Sequence, residues 1–137
     1  MKRRDGPGQA IVEFALIVPL VLVLMSFIVD CGLLLFANVS ITNAVREGAR
    51  CAAVGGTNAA VQARVTNTAE DAGNVLGAPS VTRGATIGSD AVVSVGYTYD
   101  WITPVSLIPG LSLSNITYTK TATMRMETVA PYTKGSC

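Results

Sequence analysis

The sequence predicts an α+β chain: a long N-terminal transmembrane helix extending out of the membrane, then a second helix packed on a small three-stranded antiparallel sheet. Three observations carry this. Phe14 to Val29 is a run of 16 residues without a charge. A helical pattern of small apolar residues continues beyond it to Gly55-Gly56, a strong stop signal. After Pro79 the period changes from helical to alternating, with Val, Thr and Tyr prominent, as strands require. The expected organisation is a basic leader over residues 1–8, the helix over 9–54, and a small extracytoplasmic α+β domain over 55–137.

The first helix is the firmest element. Half of the 137 residues are hydrophobic and 14% are charged, which is more apolar than an ordinary soluble domain. The excess is concentrated between Ala10 and Ala37. Phe14 to Ala37 would span roughly 36 Å at 1.5 Å per residue, enough to cross a hydrocarbon core of about 30 Å. Pro19 removes one helix hydrogen bond and is expected to bend the span. A cleaved signal peptide fits poorly, because the apolar stretch is longer than an h-region and Leu35-Phe36-Ala37 places bulk where a small residue is wanted. A lipoprotein reading fails because Asp30 precedes Cys31. Lys2, Arg3 and Arg4 lie close to the span and place the N-terminus in the cytoplasm, with the C-terminal domain outside.

Past the membrane, Val39, Ile41, Ala44, Val45, Ala49, Ala52 and Ala53 form an apolar helical face opposed by Arg46, Glu47 and Arg50. A second helix is expected from Asn58 to Val75, stopped by Gly77-Ala78-Pro79. Ala91 to Tyr99 and Ile116 to Met126 read as strands, and Val81 to Ile87 as a weaker third. Asp100 to Leu113, with Trp101, Pro104, Pro109 and Gly110, reads as a loop or a short helical turn.

Composition narrows the function. A net charge of +1 gives no electrostatic footprint for nucleic acid. The chain has no His, which removes the commonest general base and neutral metal ligand. Cys31, Cys51 and Cys137 lack the close spacing of a zinc knuckle or a redox pair, so no cofactor or metal is expected. Cys31 reads as a small packed hydrophobe. Cys51 and Cys137 both face an oxidising compartment, where a bridge is allowed provided their Cα atoms come within ~7 Å. Bridged, they would tether the tail to the first helix; unbridged, they are ordinary thiols.

The sharpest local signal is Gly8-Gln9-Ala10-Ile11-Val12-Glu13-Phe14. A Gly ends the basic leader, an acid follows five residues later, an aromatic follows the acid, and the apolar helix begins. A Gly lets backbone enter a protease cleft without a side chain. Cutting after Gly8 would spare the helix and take the formal net charge from +1 to −1, since the leader holds Lys2, Arg3, Arg4 and Asp5. The new amino terminus could pair with a neighbour's Glu13, the only acid close by; in an apolar setting that helps only when both charges are present. The plainer reading is that Glu13 favours the positive end of the helix dipole, worth about 0.3–1 kcal/mol. The pattern resembles the processing site of type IV-type prepilins, with Gly8 and Gln9 flanking the cut. Gly6 fits less well, since Ile11 would then be the fifth residue.

The resemblance extends further. Gly8 to Val54, through GQAIVEFALIVPLVLVL, VDCG and ITNAVREGARCAAV, looks like the TadE-like family of tight-adherence pilus proteins. The C-terminal ITP…PGLSLS…TATMRME is also similar to that family. The resemblance implies a minor pilin or pseudopilin, not an enzyme. It would be cut by a prepilin peptidase, held in the bacterial cytoplasmic membrane, and needed for fibre biogenesis and surface attachment. Its implied partners are the peptidase, other pilins and membrane components of the pilus machine, with no nucleic acid. Where family members often carry an aromatic and then a basic residue after the acid, this chain has Cys31 and Leu33. Asp30 therefore lacks a local basic partner. It either sits among headgroups and water, the favoured reading, or pairs with another protein as intramembrane acids do. Two other functions stay open: an unprocessed single-pass envelope anchor, and an extracytoplasmic binding module using Tyr97, Tyr99 and Trp101 on an exposed surface.

Overall fold

The structure is a computed structural model, and it describes residues 7–69, 75–103, 115–135 and 137. Its elements are α1 (Pro7–Ala53), α2 (Asn58–Ala69), β1 (Val75–Leu76), β2 (Ser80–Arg83), β3 (Asp90–Tyr99) and β4 (Ile116–Arg125). This is the α+β fold expected from the sequence. Lys2, Arg3 and Arg4 lie outside the described residues. Contacts divide the described chain into two compact units, residues 7–33 with 101–103, and residues 34–69, 75–100, 115–135 and 137.

Both ends of α1 have a chemical cause. Pro7 opens it, at the position where a missing N–H costs nothing. At the other end Gly55 adopts φ +88°. Its N–H donates to Ala52 O at 3.3 Å, and the Gly56 N–H donates to Cys51 O at 3.0 Å. Those two bonds form a Schellman cap, for which glycine is the favoured residue. The chain turns at once into α2, where Thr57 Oγ1 accepts from the Ala60 N–H at 3.2 Å, the usual N-cap arrangement.

In the second unit, Ile41, Ala44, Val45, Ala49 and Ala52 of α1 are buried. Ala44, Gly48 and Ala52 fall four apart on one helical face. There is no room for more at Gly48: a Cβ would lie 2.3 Å from Val65 Cγ2 of α2 and 3.5 Å from Val93 Cγ1 of β3. Small side chains thus let three elements meet over one core. Val39, expected on this face, is instead exposed.

The sheet is antiparallel, with β3 at its centre. β4 pairs along the whole of β3, from Asp90↔Arg125 to Tyr99↔Ile116. The other edge of β3 takes β2, in register Ser80↔Ser94 to Arg83↔Ala91, and β1, in register Val75↔Thr98 and Leu76↔Tyr97. β1 and β2 act as one interrupted strand, with the Gly77 N–H donating to Gly96 O at 2.8 Å between them. The alternation read from the sequence is present: Ala91, Val93, Val95, Tyr97 and Tyr99 are all buried.

Two boundaries need correction. The second helix does not reach Val75, because Val75 and Leu76 pair with β3. Their apolar spacing also fits a helix, but they cover β3 backbone that would otherwise present an open sheet edge. Nor does the first long strand continue to Ile87. It ends at Arg83, and Gly84 to Ser89 form the turn into β3, closed by Gly84 N–H to Asp90 O at 3.1 Å. Gly88 has φ +85° there, a conformation suited to glycine.

Candidate functional site

The residues of the N-terminal motif stand at the start of α1, and no described residue buries them. Gly8, Gln9 and Glu13 are exposed, Phe14 is 70% exposed, and among the described residues nothing beyond the local helix lies within 4 Å of where a Gly8 Cβ would be. The first turn of a helix lacks intrahelical partners for its N–H groups, so the bond between Gly8 and Gln9 sits where the helix opens most readily. Among the described residues Glu13 makes no ion pair. It is an exposed carboxylate at the head of an exposed apolar helix. α1 is the one helix among the described residues long and apolar enough to cross a membrane, and its most apolar window has no buried residue.

Asp30 departs from the expectation that it sits among headgroups and water. It is 0% exposed. Its carboxylate accepts from the Ile102 N–H at 3.0 Å, from the Thr103 N–H at 2.8 Å, and from the Thr103 hydroxyl. A buried carboxylate is tolerated when such donors surround it. One turn earlier, Phe27 stacks on Trp101, with centroids 6.1 Å apart and planes at 9°. Sequence reasoning missed this partnership because Ile102 and Thr103 follow Asp30 by 72 and 73 residues. The only local hint was an uncompensated acid in an apolar helix.

The structure joins Cys51 and Cys137 in a disulfide, with Cα atoms 5.5 Å apart. Both sulfurs crowd Gly56, where a Cβ would lie 2.5 and 2.6 Å from them. The tail is held at further points. The Thr57 N–H donates to Lys134 O at 2.8 Å, and the Lys134 N–H to Gly55 O at 3.2 Å. Arg83 donates from Nη2 to Gly56 O at 2.7 Å and lies over the Tyr132 ring at 4.2 Å, a cation–π contact. Burial pulls the Arg83 guanidinium below its usual range, with Tyr132 acting in the opposite direction. Cys31 stays free and half-buried.

The binding-module alternative would put Tyr97, Tyr99 and Trp101 on an exposed surface, and two of the three are placed otherwise. Tyr97 and Tyr99 are buried, and Tyr97 packs on Tyr118 at 5.0 Å. Burial, with Tyr97 alongside, pushes the Tyr118 phenol up. Charged contacts nearby are superficial: Glu47 sits 3.4 Å from Arg50 and 3.6 Å from Arg64, and exposed pairs of this kind contribute about 0–1 kcal/mol.

An apolar helix with an acidic motif at its head leads into a small disulfide-closed α+β unit, the arrangement of a protein with one candidate membrane-spanning helix among the described residues. Its N-terminal segment is TadE-like: the family model for TadE-like protein matches residues 8–50, which cover the motif, the apolar run and the helix up to Arg50. The match does not extend to the C-terminal segment whose likeness was noted from the sequence. No curated protein and no solved structure gives a match to the chain.

Proposed function

We propose that the chain is a minor pilin or pseudopilin that takes part in assembling tight-adherence pili and in surface attachment. It is made as a precursor, and a prepilin peptidase cuts it between Gly8 and Gln9. α1 crosses the cytoplasmic membrane once, with the leader in the cytoplasm and the α+β unit outside. Its partners are the peptidase, other pilins and membrane components of the pilus machine; it performs no catalysis. The observation that carries this is the exposed motif from Gly8 to Phe14 at the head of an apolar run whose most hydrophobic window has no buried residue, inside the segment the family model matches. The Cys51–Cys137 disulfide supports the orientation, since such bonds persist in oxidising compartments.

On this reading the Glu13 carboxylate pairs with a neighbouring subunit's Gln9 amino group in the apolar layer. Replacing Glu13 by Leu removes one member of that pair and leaves an unpaired charge, which is costly in hydrocarbon. Introduced into a strain lacking the chromosomal copy, Glu13→Leu is expected to abolish surface fibres and attachment while the protein still accumulates in the membrane. Wild-type fibre numbers with Glu13→Leu would remove this role.

A further inference from the structure

Where the uncharged run of α1 ends, at Val29, a second piece of chain lies against the helix. If the span closes at Val29 rather than running on to Ala37, about 30 Å of helix at 1.5 Å per residue reaches back to Ala10, with Glu13 near its inner end. Asp30 then falls at the outer boundary, and Phe27 lies one turn inside it. Trp101, Ile102 and Thr103 lie beside those residues: Trp101 stacks on Phe27, and Ile102 and Thr103 donate to Asp30. Non-helical backbone is normally excluded from this depth because its N–H groups go unpaired. Here the carboxylate of Asp30 accepts two backbone N–H groups and a hydroxyl from the segment, and Thr103 is buried in doing so. What the segment turns outward is apolar: Ile102 is 67% exposed. Trp is also the side chain best suited to the headgroup level, with an apolar ring and one polar N–H.

We propose that Trp101 to Thr103 form a second membrane contact, seated at the boundary between headgroups and acyl chains of the outer leaflet. Asp30 is the positioning residue that makes their backbone compatible with that depth. The partner is the lipid surface itself. The contact acts as a depth stop: it marks on the protein where the span ends, three residues beyond Phe27. This inference rests on the reading of α1 as a membrane span.

Trp101 is the only tryptophan in the chain, so its emission reports on this segment without labelling. The full chain is reconstituted in phosphatidylcholine vesicles and quenched separately by acrylamide in the water and by lipids brominated near the top or the end of the acyl chain. Co-flotation with the vesicles after an alkaline wash reads membrane insertion independently. The expected result is strongest quenching by the shallow bromines, with acrylamide quenching on the order of threefold weaker than in Asp30→Leu, where the backbone anchor is lost and the span stays apolar. Thr103→Val, which removes one donor, is expected to fall between the two. Full acrylamide quenching without bromine quenching, in chains that co-float, places the segment in water and overturns the proposal alone. Quenching by neither agent also overturns it, because protein, such as a second copy, then covers the segment. Failure to co-float overturns the membrane span and the proposal with it.

Discussion

Gly48→Leu is expected to destabilise the α+β unit by about 3 kcal/mol, at the upper end of what overpacking costs. Gly48 lies where α1, α2 and β3 converge, and even a Cβ would come within 2.3 Å of Val65 Cγ2 and 3.6 Å of Val61 Cγ1. Val65 cannot rotate away cheaply, because a β-branched side chain in a helix has one strongly preferred rotamer. Relief therefore requires α2 to move off the core. Gly48→Ala separates this from backbone effects. In an exposed helix that change gains roughly 1 kcal/mol of helix propensity. Here the clash is expected to outweigh the gain, giving a net loss of about 1 kcal/mol. Adding Val65→Ala opens the space, so the double variant should be more stable than the two single losses sum to, the signature of direct coupling. Chemical unfolding of the full chain in micelles, followed by circular dichroism, reads the wild type, the three single variants and the double variant. A stabilised Gly48→Ala would show that the close approach at this position is not a packing constraint.

The second large effect concerns the tail. The Cys51–Cys137 bond spans a sequence separation of 86. A loop of that size confines the unfolded chain by on the order of 4 kcal/mol in the chain-entropy account, and removing a native disulfide from a small domain costs roughly 2–5 kcal/mol. Cys51→Ser is therefore expected to lower stability by about 3 kcal/mol, and reduction of the wild type should do the same. The tail keeps other attachments: the Lys134 hydrogen bonds to Gly55 and Thr57, and Tyr132 beneath Arg83. The loss should thus appear as a lower unfolding midpoint rather than as an unfolded chain. A midpoint unchanged by reductant, with full thiol release confirmed, would contradict this account of the tail.

How much of this was legible depends on range. α1 was readable because an uncharged run of that length has few alternatives, and its end was readable because Gly55-Gly56 is a helix stop. β3 and β4 were readable because Val, Thr and Tyr alternate over ten residues each, so burial on one face is written into the order of residues. Val75 was misread because its apolar side chain continues the spacing of α2 as well as it fills an edge of β3; only the pairing of Val75 with Thr98 and of Leu76 with Tyr97 decides between them. Asp30 was legible as an anomaly and not as a solution. Its donors come from a loop that shares no pattern with the helix, and two of them are backbone groups that any residue except proline carries. Gly48 stood in plain view within Arg46-Glu47-Gly48-Ala49-Arg50, but its role follows from Val65 and Val93, which the sequence does not place opposite it. Of the motif residues, Gly8, Gln9, Glu13 and Phe14 were legible by spacing alone, and their exposure at the head of α1 is what makes a processing enzyme's access to them physically reasonable.

The central claim is that this chain is a processed pilin-like precursor, and the N-terminal sequence of the protein recovered from its native membrane tests it most directly. The account predicts that the wild type begins at Gln9, and that Gly8→Val, which places a branched side chain at the cut, accumulates with its leader attached. A functional wild-type protein that retains residues 1–8 would contradict it and leave an unprocessed envelope anchor.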